Sequence, residues 1–145
     1  MSFDLKNTYA NINMEDVFGN LTAELFKGDL KTGDISEEVN ISIKYGNAVL
    51  EDFGKGGKVT LFKSSLSGKS AEKLYLKSNY SSVSLGKLDE LDVVGFKSSF
   101  NFSNSISHLH GSVKYGSLSI AGNVKSLEMD GFKSSFAMKD IGNAN

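Results

Sequence analysis

The chain has 145 residues, with 16 basic against 17 acidic side chains, 15 glycines, and no cysteine, proline or tryptophan. Its length fits one domain, residues 1–145. Its formal net charge of −1 excludes the electrostatic footprint of a nucleic-acid or anionic-membrane binder. Without cysteine there is no disulfide framework, thiol nucleophile or Cys-ligated zinc or iron–sulfur site. Abundant Ser, Asn and Gly suit short strands joined by polar turns, which is an all-β composition.

In chain order the elements repeat. The strand-like Phe3-x-Leu5 leads into Tyr9-Ala-Asn-Ile12-Asn-Met14, and Phe26-Lys-Gly-Asp-Leu30 follows. Next come Tyr45-Gly-Asn-Ala48-Val-Leu50, Phe62-Lys-Ser-Ser-Leu66, Tyr80-Ser-Ser-Val83-Ser-Leu85, Phe96-Lys-Ser-Ser-Phe100, Tyr115-Gly-Ser-Leu118-Ser-Ile120 and Phe132-Lys-Ser-Ser-Phe136. Tyr and Phe rows alternate strictly. The aromatics are separated by 17, 19, 17, 18, 16, 19 and 17 residues, a row of about 18 and a Tyr-plus-Phe pair of about 35. In the Tyr rows the next apolar residue comes at +3, and in the Phe rows at +4.

Around each aromatic, apolar residues alternate, as in Leu74-x-Leu76 before Tyr80 and Val83-x-Leu85 after it. Such alternation marks strands with one buried face. Each strand is too short to stand alone but can pair with its counterpart in the next row. The fold expected is a single-domain parallel β-solenoid (β-helix) of about eight rows of roughly 18 residues. A coil of about 35 residues and an antiparallel sandwich are the alternatives. Like stacked over like gives columns of Tyr and Phe, of Leu, Val and Ile, and of Ser and Asn; the aromatic columns read as internal stacks or corner fillers rather than sugar-binding platforms.

Rows of this form, carried by Lys44-Tyr45-Gly46-Asn47, Lys114-Tyr115-Gly116-Ser117 and Ser78-Asn79-Tyr80-Ser81-Ser82, resemble the adhesin-like β-solenoid domains of Bacteroidetes cell-envelope proteins. The likeness covers essentially the whole chain. It implies an exported or envelope-anchored, non-catalytic scaffold whose repetitive surface binds a glycan or a protein, and it brings no functional residue with it. Met1-Ser2-Phe3-Asp4 lacks the charged-then-apolar layout of a secretory signal. With the repeat already running at Phe3 and still running near Asn145, the chain reads as a piece of a longer precursor.

Few residues suggest chemistry. The recurring Lys27, Lys63, Lys97 and Lys133 form a basic stripe if the Phe rows align; the default reading is solvated gatekeepers, the alternative a contact for anionic glycans or lipids. In the shorter coil, Leu91 lies beneath Leu109. Glu90 then sits under His108 and Asp92 under His110, a patch with zinc or nickel ligand types, although exposed surface residues are its default reading. Glu15-Asp16, Glu37-Glu38 and Glu51-Asp52 are adjacent pairs, poorly placed for two carboxylates facing one sugar. The chain has no arginine to hold a uronate, and Gly68-Lys69-Ser70 lacks the upstream glycine of a phosphate-binding loop.

The reading is therefore non-catalytic, with no cofactor and no bound metal; a polysaccharide lyase or hydrolase on a β-helix is the alternative. Open strand edges at Phe3-x-Leu5 and Ala137-Met138 invite end-to-end self-association. Sedimentation at rising concentration is expected to show species larger than one chain, and a clean monomer throughout counts against it.

Overall fold

A computed structural model describes residues 2–9 and 11–144. Met1, Ala10 and Asn145 lie outside it, as do the side chains of Ser2 and residues 139–144. Thirteen strands form one sheet system, and every pairing among the described residues is parallel. The antiparallel sandwich is thereby excluded. Partners lie one row apart: Leu21 pairs with Val39 and Val39 with Gly57, so one coil is one row, as the shorter repeat predicts. The longer coil, a Tyr row and a Phe row together, is excluded with it.

Each row has a long side, a sharp corner, a short side and a return. The first long sides are separate strands, Ser2–Thr8, Asn20–Phe26, Glu38–Lys44 and Gly56–Phe62. Further on, the short side of one row runs unbroken into the long side of the next, as in Ser65–Asn79, Ser82–Phe96 and Ser117–Phe132. No helix among the described residues is long and apolar enough to cross a membrane.

The corner explains the uneven aromatic spacing. Eight non-glycine residues have positive φ, between 47° and 62°: Tyr9, Lys27, Tyr45, Lys63, Tyr80, Lys97, Tyr115 and Lys133. They sit one above another, one to a row. In Tyr rows the aromatic itself occupies the corner, whereas in Phe rows it is the last strand residue and lysine occupies the corner. Phe62 accordingly pairs with Lys44 and with Asn79, not with a tyrosine. Counted from the corner, the next apolar residue comes at +3 in both row types. The expectation of like over like is corrected here: the aromatics alternate between two adjacent columns.

A left-handed residue also breaks the in-out alternation of the strand. Leu25 is buried, Phe26 and Lys27 both face outward, and Gly28 is buried. The inward position after the corner therefore admits only a small residue: Gly28, Gly46, Ser64, Ser81, Ser98, Gly116 or Ser134. Where it is serine, the hydroxyl donates back to the carbonyl two residues earlier, as from Ser81 Oγ to Asn79 O at 2.8 Å. It also accepts from the preceding row, with Ser64 N–H donating to Ser81 Oγ at 3.0 Å and Ser81 N–H to Ser98 Oγ at 3.2 Å. Ser78 Oγ, fully buried, donates to Ser98 Oγ at 3.0 Å. No buried side-chain polar atom among the described residues lacks a partner, as the cost of an unmade buried hydrogen bond requires.

The core is one continuous cluster from Val17 to Val124. Some of its large side chains are matched across a coil. Val113 precedes a corner followed by Leu118, whereas Gly95 precedes the corner followed by Phe100. A Cβ on Gly95 would lie 2.7 Å from the Phe100 ring, and one on Gly131 would lie 2.5 Å from Phe136. The two Gly-Phe-Lys-Ser-Ser-Phe runs are thus volume trades, a missing side chain on the long side making room for a ring from the short side. Exposed ion pairs link the outside of neighbouring rows: Lys55 with Glu37 at 2.7 Å, and Lys69 with Glu51. Hydrogen bonding to those carboxylates, then their charge, holds both ammonium groups above the usual lysine range. Raised lysines favour the fold at neutral pH and lose that contribution as pH climbs through their folded pKa, but at such exposure it is small.

Gly95→Val is expected to cost about 1–3 kcal/mol through overpacking against Phe100. The double variant Gly95→Val, Phe100→Leu, which copies the Val113 and Leu118 pair, is expected to recover most of that loss in urea unfolding. Equal destabilisation of the single and double variants rejects the volume trade.

Candidate functional site: an outer aromatic and lysine ladder and a groove on the long side

The aromatic columns are on the outside. Tyr45, Tyr80 and Tyr115 expose 43–44% of their surface and Phe132 exposes 50%, so the expectation of an internal stack is overturned. The physical reason is the corner, which turns two successive residues outward. From Tyr9 to Phe132 each ring meets the next edge-to-face, with centroids 5.4–6.1 Å apart and planes at 79–90°. This is the geometry the aromatic quadrupole favours.

The four lysines expected as a stripe are threaded into this ladder. Lys27, Lys63, Lys97 and Lys133 each place Nζ 5.3–5.8 Å from the tyrosine ring of the preceding row and 5.7–5.8 Å from the phenylalanine just before them. Cation–π attraction at exposed sites contributes about 0.5–1 kcal/mol. Each ammonium thus covers ring surface that a sugar or a base would otherwise reach. Sequence reasoning placed Lys44 and Lys114 in the row motif but not in the stripe; they occupy the phenylalanine column in two of the Tyr rows, directly before Tyr45 and Tyr115.

The second surface is a shallow groove across the other edge of the long side, lined by Glu38, Lys55, Lys73, Tyr75, Glu90, Asp92, His108 and His110 among others. The expected register holds. Leu109 pairs with Leu91, His108 with Glu90, and His110 with Asp92. With Leu109 buried, both imidazoles face outward. His110 lies between carboxylates of two rows, Nδ1 3.5 Å from Asp92 Oδ1 and Nε2 3.8 Å from Glu128 Oε1. Glu90 meanwhile pairs with Lys73 at 3.3 Å. These partners draw Glu90, Asp92 and His110 toward neighbours along the coil. Among the described residues no three His, Asp or Glu side chains converge to hold a metal ion.

Glu128 and Tyr75 were not anticipated, although each has a signal: Glu128 is the residue paired with His110 in the following row, and Tyr75 is the outward residue of Leu74-x-Leu76. Tyr75 is 38% exposed, with Lys58 Nζ 5.7 Å from its ring. Below it, Gly56 and Gly57 adopt φ of 98° and 140°, and a Cβ on either would lie within 2 Å of a neighbouring carbonyl oxygen. Gly57 lines that end of the groove. Of the adjacent carboxylate pairs, Glu37-Glu38 contributes Glu38 to the groove, whereas Glu15-Asp16 and Glu51-Asp52 stay apart from it. Asp16 and Asp34 accept backbone N–H bonds from the row above, at 2.9 and 3.1 Å, and Glu51 is paired with Lys69. Lys69 of Gly68-Lys69-Ser70 lies within a strand, Ser65–Asn79.

Tyr80 meets two rings, Phe62 and Phe96, whereas Tyr9 meets only Phe26. Tyr80→Ala is expected to destabilise more than Tyr9→Ala by about the 0.5–1.5 kcal/mol of one aromatic pair, measured by thermal unfolding; equal losses show that the ladder adds nothing row by row. Compared with known proteins, the chain matches no family model, no curated protein and no solved structure.

Proposed function

We propose that this protein is a non-catalytic, adhesin-like scaffold of the cell surface or envelope that presents a repetitive β-solenoid face to a glycan or protein ligand. The observation that carries this reading is the regular exterior. Along the short side, outward positions repeat as Ser65-x-Ser67, Ser82-x-Ser84, Ser99-x-Asn101 and Ser117-x-Ser119, a flat array of small polar groups over the continuous core. Rigid backbone spacing fixes such an array without further ordering on binding, which lowers the entropic cost of association. The resemblance to Bacteroidetes envelope domains supplies the location.

One observation favours a second reading, a carbohydrate-active enzyme. Glu90 and Asp92 project from the same side of one strand into a groove that also holds Glu38 and both histidines, and paired carboxylates are what glycoside hydrolysis needs. Immobilised protein incubated with neutral and acidic polysaccharides, with a reducing-end assay on the same samples, separates the two. Retention without chain cleavage is the expected result. New reducing ends that vanish in Glu90→Gln and Asp92→Asn put the enzyme in its place, and neither retention nor cleavage rejects the enzyme and leaves the scaffold only a protein ligand.

A further inference from the structure

We infer that the outer ladder between rows three and seven is a binding strip for a linear, carboxylate-bearing polysaccharide, an assignment that rests on the scaffold reading and names its ligand. The first ground is charge segregation. The chain is nearly neutral, yet Lys44, Lys63, Lys77, Lys97 and Lys114 are all exposed on this strip and its inner flank. On both flanking columns of these rows, every other outward residue is Ser, Thr, Asn or Val. No carboxylate belongs to those columns there, whereas Lys27 and Lys133 at the strip's ends have Glu24, Asp29 and Asp130 nearby in sequence. Asp29, in the row before, accepts the Asn47 N–H at 3.0 Å, and Asp130, in the row after, pairs with Ser112, so the counter-charges sit at the strip's two ends, and the run of cations between them attracts an anion.

The second ground is geometry. Stacked rows repeat at about 4.8 Å, so the strip is straight for about 19 Å and its corner lysines recur about every 10 Å. Between them stand Tyr45, Tyr80 and Tyr115, half-exposed, with Phe62 and Phe96 partly exposed. Straight, regularly charged and flanked by columns of Ser, Thr and Asn, the strip matches an acidic polysaccharide, whose carboxylates recur along an extended chain and whose hydroxyls can hydrogen-bond those columns. A single-stranded nucleic acid fits less well. Base stacking requires open ring faces, and here each ring meets the next edge-on while a lysine lies over it.

The test is affinity electrophoresis of the whole chain through gels containing polygalacturonate, a neutral glucan or oligo(dT). Retardation by polygalacturonate alone, weakening as salt screens the contacts, is expected. Lys63→Glu with Lys97→Glu is expected to lower that affinity at least tenfold. Lys44→Glu with Lys114→Glu gives the same readout from strand positions, so a folding defect at the left-handed corners does not mask it. Lys87→Glu with Lys125→Glu makes the same charge change away from the strip and is expected to leave binding within twofold. Equal loss in all three pairs reduces the effect to net charge and overturns the assignment, as does oligo(dT) binding at least as tight. Retention on the neutral glucan that none of these variants alters keeps the scaffold reading and moves its site off the ladder; no retention by any polymer overturns the assignment and leaves the scaffold only a protein ligand.

Discussion

The left-handed corner is the constraint on which the rest of this structure depends. A non-glycine residue in that conformation costs about 1–2 kcal/mol, and eight rows each place one at the same point of the coil. Such a repeat persists only where neighbours return a comparable amount. Each ring contact along the ladder contributes about 0.5–1.5 kcal/mol, and each lysine over a ring about 0.5–1. The corner creates the ladder by turning two successive residues outward, and the ladder in turn stabilises the corner. Tyr at the left-handed position with a polar residue (Thr8, Lys44, Asn79 or Lys114) before it, and Lys there with Phe before it, are two solutions to one local problem, and their alternation lets each aromatic meet the next across the row boundary.

The same turn dictates the interior. Because the residue after the corner points inward against the corners above and below, it has to be small, and serine there brings a hydroxyl that must be satisfied. The row spacing supplies its partners: a carbonyl two residues back and an amide one row away. Further in, a glycine on the long side makes room for a ring from the short side, because interiors tolerate few voids and no overlap. Gly95 with Phe100 and Val113 with Leu118 are both full layers. Rows can therefore differ in sequence while the coil stays constant.

Row length, parallel stacking and the register of His108 over Glu90 and His110 over Asp92 were legible in the sequence, because period-two alternation and a regular row spacing are direct consequences of the backbone. The place of the aromatics was not. Reading Tyr and Phe as one column assumes that side-chain identity tracks backbone position, and here the ring shifts by one residue between row types while the left-handed φ does not. Reading them as internal assumes that apolar residues alternate inward without interruption, which fails at a residue with φ near 50°. The uneven steps between successive aromatics were the trace of that shift, and the change from +3 to +4 in the next apolar position was its measure. Tyr75 and Glu128 were hidden differently: they are single outward residues, and a repeat pattern directs attention to positions that recur.

In a stacked coil, what recurs and what does not divide the work between stability and function. Inward columns and corners are answerable to every neighbouring row, so their residues report packing. Outward columns are nearly free of that demand, and order among them calls for a separate cause. The lysines of rows three to seven illustrate this: cation–π contact accounts for those at the corners, yet Lys44 and Lys114 sit on the strand, and nothing in the core calls for the lack of carboxylates on the flanking columns. Segregation of charge that packing does not require is what the proposed polysaccharide strip rests on. The groove at Tyr75, by contrast, is a break in the repeat, where Gly56 and Gly57 remove side chains that other rows possess. Several of its polar groups are already engaged along the coil, Lys73 in an ion pair with Glu90 and His110 beside Asp92, whereas the strip's lysines in rows three to seven have no carboxylate of those rows in the columns beside them.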